Sequence, residues 1–275
     1  MSTDQIELRE VHGPSPLGGG LRRAAELLYL MASTEFKRTY FNTVLGYLWS
    51  LCRPLLLFAV LLAVFTRLVR FSTVQDYPVL LLMNIVLFGF FQEATGTSVP
   101  SIVSQEAIVR KTQFPRLVIP LAVVLTSVFN LGPNLLVTII FMLGFGVAPM
   151  WTWLLLPVLL LVLFVFTTAL AMALSSLYPR FRDVGIIWIV FSTTLFYATP
   201  VLYPLQRLHG AALTLVSLNP LTPIFELARR WMITPTAPVT GGTLAIVVPI
   251  AIYVAVCVFA VWIFRREAPR IAEEL

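Results

Sequence analysis

Side chains able to do chemistry are sparse in this chain, and where they stand decides what they can do. Arg53 and Glu93 each lie inside a long apolar run. A carboxylate or guanidinium inside lipid is costly unless it is paired, neutralised or facing water. If the first run leads outward and the second inward, Arg53 lies eight residues past Leu45, ~12 Å deep, and Glu93 eleven before Ser104, ~16 Å deep. The similar depths predict a buried ion pair; for Arg53 alone, the alternative is snorkelling back to the interface. Residues 104–116, SQEAIVRKTQFPR, form a polar island between apolar runs. They read as a charged loop, or as a short helix with Ser104 as N-cap, Gln105 and Glu106 in its first turn, Arg110 and Lys111 at its end and Pro115 as its stop. Residues 175–185, SSLYPRFRDVG, place Arg180 and Arg182 at a turn, with Asp183 as the cap of the next helix. In residues 219–233, NPLTPIFELARRWMI, the spacing pairs Glu226 with Arg229 or Arg230.

What these groups do not form is equally informative. No GxxxxGK[ST] phosphate loop occurs, so ATP hydrolysis is not expected of this chain. No acid pair or nucleophile–base group stands out, so the chain does not read as an enzyme. Cys52 and Cys257 sit in separate apolar runs and His12 and His209 are isolated, which offers neither a disulfide framework nor a metal site. Few charges lie in the apolar runs, which argues against a proton or ion relay.

The elements that must position these residues are membrane helices. The chain has 275 residues, 59% of them hydrophobic and 12% charged, a composition suited to a polytopic membrane protein and not needed by a soluble core. The net charge of +6 is not read as a nucleic-acid surface, because Lys and Arg cluster at the ends of apolar runs. Residues 1–20 are expected to be a flexible tail with no cleavable signal peptide. Over residues 21–43, Leu21, Ala24, Leu28, Met31 and Ala32 recur at helical spacing with charges on the other sides. That pattern fits an amphipathic helix in the membrane interface, or a soluble helix packed elsewhere. Residues 44–266 form the transmembrane domain, and residues 267–275 a short tail.

Six spans are expected, at about 45–69, 78–103, 117–146, 154–177, 184–203 and 240–264. In the third, Pro133 frees a carbonyl, and Asn130 and Asn134 either satisfy backbone or line a cavity. Six spans put both termini on one side. Fourteen of the 19 Lys and Arg residues fall on that side, which marks it as cytoplasmic. The fold class is therefore an all-α polytopic membrane protein.

Four segments carry a resemblance to a known family: LGYLWSLCRPLL at 45–56, the island with its FPR, the inner turn with its Arg-Asp pair, and the NPLT segment at 219–222. Over about residues 21–266 the chain resembles the permease subunits of ABC-2 type transporters. The resemblance implies that residues 104–116 are a coupling helix docking on a separate ATPase, with Gln105, Glu106, Ile108, Arg110, Lys111 and Phe114, together with Arg180, Arg182 and Asp183, facing that subunit. It also implies two short re-entrant helices ending in the NPLT segment as an outer gate, where Pro204, Asn219, Pro220, Pro223, Glu226, Arg229 and Arg230 lie; an amphipathic helix at the outer surface is the other reading of this segment. The implied assembly is a homodimer with two ATPase subunits, which bind the ATP and Mg; this chain itself carries no cofactor. The implied location is the bacterial plasma membrane.

Among such permeases the likeness is nearest to exporters of lipid-linked polysaccharide of the O-antigen kind, or of teichoic acid. Aromatic rings that stack on sugars suit that cargo, and Trp49, Phe88, Phe91, Trp188 and Tyr197 are the candidates, each with packing or lipid contact as its other reading. Arg53 and Glu93 join the path by their position in the spans; the resemblance assigns Glu93 no role. Export of small hydrophobic drugs or lipids is the alternative. A membrane-embedded transferase would need a cluster of acids or histidines, which is missing.

Overall fold

The computed structural model describes residues 20–40, 46–67, 76–106, 116–235 and 242–267. Residues 1–19, most of 267–275, and the island residues Ile108, Arg110, Lys111 and Phe114 lie outside the described residues.

The described residues are helical, without strands: α1 (Gly20–Tyr40), α2 (Leu48–Arg67), α3 (Tyr77–Ser98), α4 (Ser101–Ser104), α5 (Val118–Gly144), α6 (Leu156–Leu177), α7 (Val184–Ala198), α8 (Gly210–Ser217), α9 (Thr222–Met232) and α10 (Leu244–Glu267). Single 3-10 turns at Trp151–Leu155 and Leu205–Arg207 precede α6 and α8. Five stretches are long and apolar enough to cross a membrane: α2, α3, α5, Trp151–Leu177 and α10. This is a polytopic all-helical membrane protein.

The centre of the bundle is α3. Sixteen of its 22 residues are buried, with α2, α5, α6 and α7 packed around it. Its first half is apolar on nearly every side, as a helix surrounded by protein requires, and Gln92 and Glu93 follow in its second half. Phe88 and Phe91 are both fully buried there; Phe91 stacks on Phe166 and meets Trp188 edge-on, in centroid distances of 6.1 and 6.2 Å. The helix ends where Pro100 withholds an N–H, and Ser98, Ser101 and Ser104 each send a hydroxyl back to a carbonyl three or four residues earlier. Ser104 thus closes the last turn of α4, its hydroxyl donating to the Ser101 carbonyl at 2.9 Å; the helix it is expected to cap lies mostly outside the described residues.

The fifth expected span is shorter than its apolar run. Helix α7 has 15 residues, about 22 Å at the helical rise, and stops at Ala198. Pro200 explains the stop, since the residue before a proline is pushed to extended backbone, and Thr199 has φ −101° and ψ 147°. The irregular segment that follows is satisfied from the central helix. Asn84 donates to the carbonyls of Pro200 and Val201 at 3.0 and 3.2 Å, and Tyr77 to that of Leu202 at 2.8 Å. Non-helical backbone inside a membrane protein needs such partners.

Helices α8 and α9 meet at a 92° bend. The NPLT segment, expected at the end of this pair, forms its elbow instead, because Pro220 cannot continue α8 while Pro223 suits the first turn of α9. Asn219 fixes the corner: its amide donates to Thr199 Oγ1 at 2.9 Å, and its Oδ1 accepts from the Leu221 amide at 3.0 Å. At the far end of α9, Trp153 Nε1 donates to the Met232 carbonyl at 3.0 Å, and Thr152 to that of Trp231.

Candidate functional site

A cavity of about 840 Å³ opens between α2, α3, α5 and α7. Its polar wall is built from one face of α3, where Gly89, Gln92, Glu93 and Gly96 recur at helical spacing. A side chain added at either glycine would meet nothing within 4 Å, so the two glycines leave room beside the acid. From α5, Asn130 Nδ2 donates to Glu93 Oε1. From α2, Trp49, Ser50 and Arg53 face the same space, and from α7, Trp188 and Ser192 do.

Arg53 and Glu93 therefore share a cavity, but they do not make the contact ion pair expected of them. Asn130 holds one carboxylate oxygen of Glu93, and Arg53 is exposed. Depth alone placed both charges in one layer; it carried no information about a third helix reaching in between. Asn134, one turn along from Asn130, donates to the Ser50 carbonyl of α2 at 3.3 Å and to the Asn130 carbonyl at 2.8 Å. Their four-residue spacing within an apolar helix was the sequence signal for a polar stripe. Gln92, Ser192 and Phe196, which also reach the cavity, were not singled out.

The aromatic candidates divide. Trp49, half exposed, faces the cavity, while Phe88 and Trp188 back its wall from buried positions. The Trp188 indole donates to Thr95 at 3.2 Å. Phe91 is a core residue and does not reach the cavity, while Tyr197 is exposed away from it.

The second group of candidates lies along the bent pair. Beside α9 and α10 runs an apolar groove of about 600 Å³, touched by Pro220, Pro223, Glu226 and Arg230. The ion pair expected from spacing is not made here either. Arg229 donates to Gln206, and Glu226 accepts from the Leu205 amide, because the turn Leu205–Arg207 packs under α9 and offers nearer partners. Pro204 sets up that turn from an extended conformation, φ −79° and ψ 141°.

At the opposite end of the bundle, Arg180, Phe181, Arg182 and Asp183 are all exposed. Arg180 stands 3.8 Å from Glu267 at the end of α10, and Arg182 lies over the Tyr178 ring at 5.2 Å. Asp183 does precede α7, but its backbone is helical and its side chain caps nothing. Gln105 and Glu106 follow α4 and are half-buried.

The model of the ABC-2 type transporter family matches residues 26–233, a range that holds the cavity, the inner turn and the bent pair. The chain belongs to that family. Among curated relatives, the O-antigen export system permease protein RfbA of Myxococcus xanthus is 30% identical over 200 residues, 72% of this chain and 76% of the relative. Two proteins of the same description from Klebsiella pneumoniae are 28% and 29% identical over 197 residues, 71% of this chain and 76% of each. The ABC-2 permease is thus a transport protein of the membrane, of a family that works with an ATPase subunit.

Proposed function

We propose that this permease exports a lipid-linked polysaccharide, O-antigen-like or a related cell-wall glycan, from the cytoplasmic to the outer face of a bacterial plasma membrane, as a homodimer driven by two separate ATPase subunits. The observation that carries the proposal is the cavity. It combines amide, hydroxyl and charged groups with the half-exposed ring of Trp49, a mixture that grips sugar edges and faces without holding one unit fast. It is also one-sided. Apolar residues on α2 (Leu56, Leu57, Val60) and α7 (Ile186, Ile189, Val190) flank it and are exposed. A second copy laid against these strips closes the cavity into a conduit and covers an apolar patch that invites a partner. The export names of the relatives agree with this cargo.

Both termini lie in the cytoplasm in this reading, with the exposed inner turn, Arg180 to Asp183, and residues 104–116 turned to the ATPase. The bent pair, α8 and α9, enters and leaves the outer leaflet as a gate. Its helices of 8 and 11 residues are each too short to cross. The test is deletion of the chain in its host: surface glycan is lost and lipid-linked polymer accumulates inside. Unchanged surface glycan with new sensitivity to apolar drugs rejects the glycan in favour of a small hydrophobic cargo.

A further inference from the structure

Two prolines interrupt the facing helices α2 and α5, and each leaves a carbonyl without its helical donor. Pro54 has no N–H for the Ser50 carbonyl, and Pro133 none for the Phe129 carbonyl, four residues back in each case. Both freed carbonyls are taken by the opposite partner. Asn134 of α5 donates to Ser50 of α2 at 3.3 Å, and Tyr47, one residue before α2, donates its hydroxyl to Phe129 of α5 at 3.0 Å. The arrangement is reciprocal: each helix supplies one freed carbonyl, and each side supplies one donor from within a turn or two of its own proline.

We propose that Tyr47 and Asn134 are positioning residues forming a proline-dependent latch, which holds the first span at the rotation that turns Trp49 and Arg53 into the cavity opposite Glu93. Two features make the latch more than local backbone satisfaction. First, Asn134 uses its second amide hydrogen on the Asn130 carbonyl at 2.8 Å, and Asn130 is the residue bonded to Glu93. The latch and the cavity's acid are thus held by neighbouring turns of one helix. Second, Tyr47 and Phe129 belong to an aromatic cluster with α1: Phe36 lies 5.2 Å from the Tyr47 ring and 5.9 Å from that of Phe129, and Tyr29 lies 6.2 Å from Phe129. The Thr126 hydroxyl, one turn earlier on α5, lies 2.9 Å from the Ala122 carbonyl of its own helix and 3.2 Å from the Ala32 carbonyl of α1 and shares its hydrogen between them. A displacement of α1 therefore acts on the same carbonyl that Tyr47 holds, and through α5 on the setting of α2. For an exporter in which α1 shifts during the transport cycle, the latch is a mechanical connection between α1 and the cargo cavity. That last step rests on the function proposed above; the latch itself does not.

The proline dependence supplies the test. In the full transporter, spin labels at Ala59 on α2 and Leu136 on α5, both exposed and outside the cavity and the strips assigned to the second copy, report the distance between the two helices. Asn134→Leu should broaden that distance distribution and lower glycan export per ATP hydrolysed roughly threefold, the scale of one interhelical hydrogen bond within a membrane. In a Pro54→Ala background the Ser50 carbonyl regains a helical donor, so Asn134→Leu should add no further change. Tyr47→Phe, which removes one hydroxyl and nothing else, should behave in the same way and be relieved by Pro133→Ala. Equal broadening with and without the prolines, or none in either, overturns the latch. A broadened distribution that follows the prolines, in a transporter that moves no glycan, leaves the latch standing and rejects the cargo.

Discussion

The cavity beside α2 and the groove beside α9 are similar in size and opposite in construction. In the cavity, polar groups reach across helices: Asn130 to Glu93 from α5 to α3, and Asn134 to Ser50 from α5 to α2. Along the groove, Glu226 bonds to the adjacent Leu205, with Arg229 bonded to Gln206 just outside it, and most of the wall is apolar. Cross-helix bonds fix the relative placement of whole spans; the bonds beside the groove seat one short helix on the turn Leu205–Arg207 beneath it. The difference assigns the two regions different work: a shaped polar path in the first, and a small element able to shift as a unit in the second.

Substitutions that erase this contrast should rank accordingly. The largest effect is expected from Asn130→Leu, which leaves the Glu93 carboxylate beside apolar surface. Losing the bonded partner of a charged group costs at least ~1–3 kcal/mol, visible as a lowered melting temperature of the purified permease. Removing the acid as well, in Glu93→Leu with Asn130→Leu, should recover most of that loss. A double variant as unstable as the single one would show that Asn130 acts by packing alone.

A smaller effect is expected of Arg53→Leu. Arg53 faces the cavity without touching Glu93, so stability should fall by less than about 1 kcal/mol while export slows. Stability losses matching those of Asn130→Leu would restore the direct ion pair and remove the distinction between contact and shared cavity. Smallest of all is Glu226→Gln in the groove. An amide oxygen still accepts from Leu205, so the melting temperature should stay within the change produced by about 0.5 kcal/mol. A large destabilisation there would mean that the groove's charges hold the fold together, as the cavity's do.

How far the sequence spoke for the structure follows the same division. Apolar run length located α2, α3, α5, α6 and α10 to within several residues, because lipid demands continuous helix and the runs end in charges or proline. It overran α7 by five residues, since Thr199–Tyr203 is apolar enough for a span but Pro200 and Pro204 forbid its helix. The 219–222 segment was recognised as special, yet its place at the elbow depended on Asn219 reaching Thr199, a contact between residues twenty apart. Within the cavity, Arg53 and Glu93 were legible as lone charges in apolar runs. Their partners were not, because depth along each helix leaves the rotation of a third helix open. Spacing likewise offered Glu226 a partner one turn away, and the turn at Leu205–Arg207, packed beneath, supplied different ones.

The central claim is that cargo passes through the cavity and not along the groove. The direct test places a photo-crosslinking amino acid at Trp49 in one variant and at Ile246, in the groove, in another, within transporter reconstituted with its ATPase and supplied with radiolabelled lipid-linked polysaccharide. ATP-dependent labelling at position 49, with little at position 246, is the expected result. Label captured at 246 and absent at 49 would move the path to the groove and contradict the account.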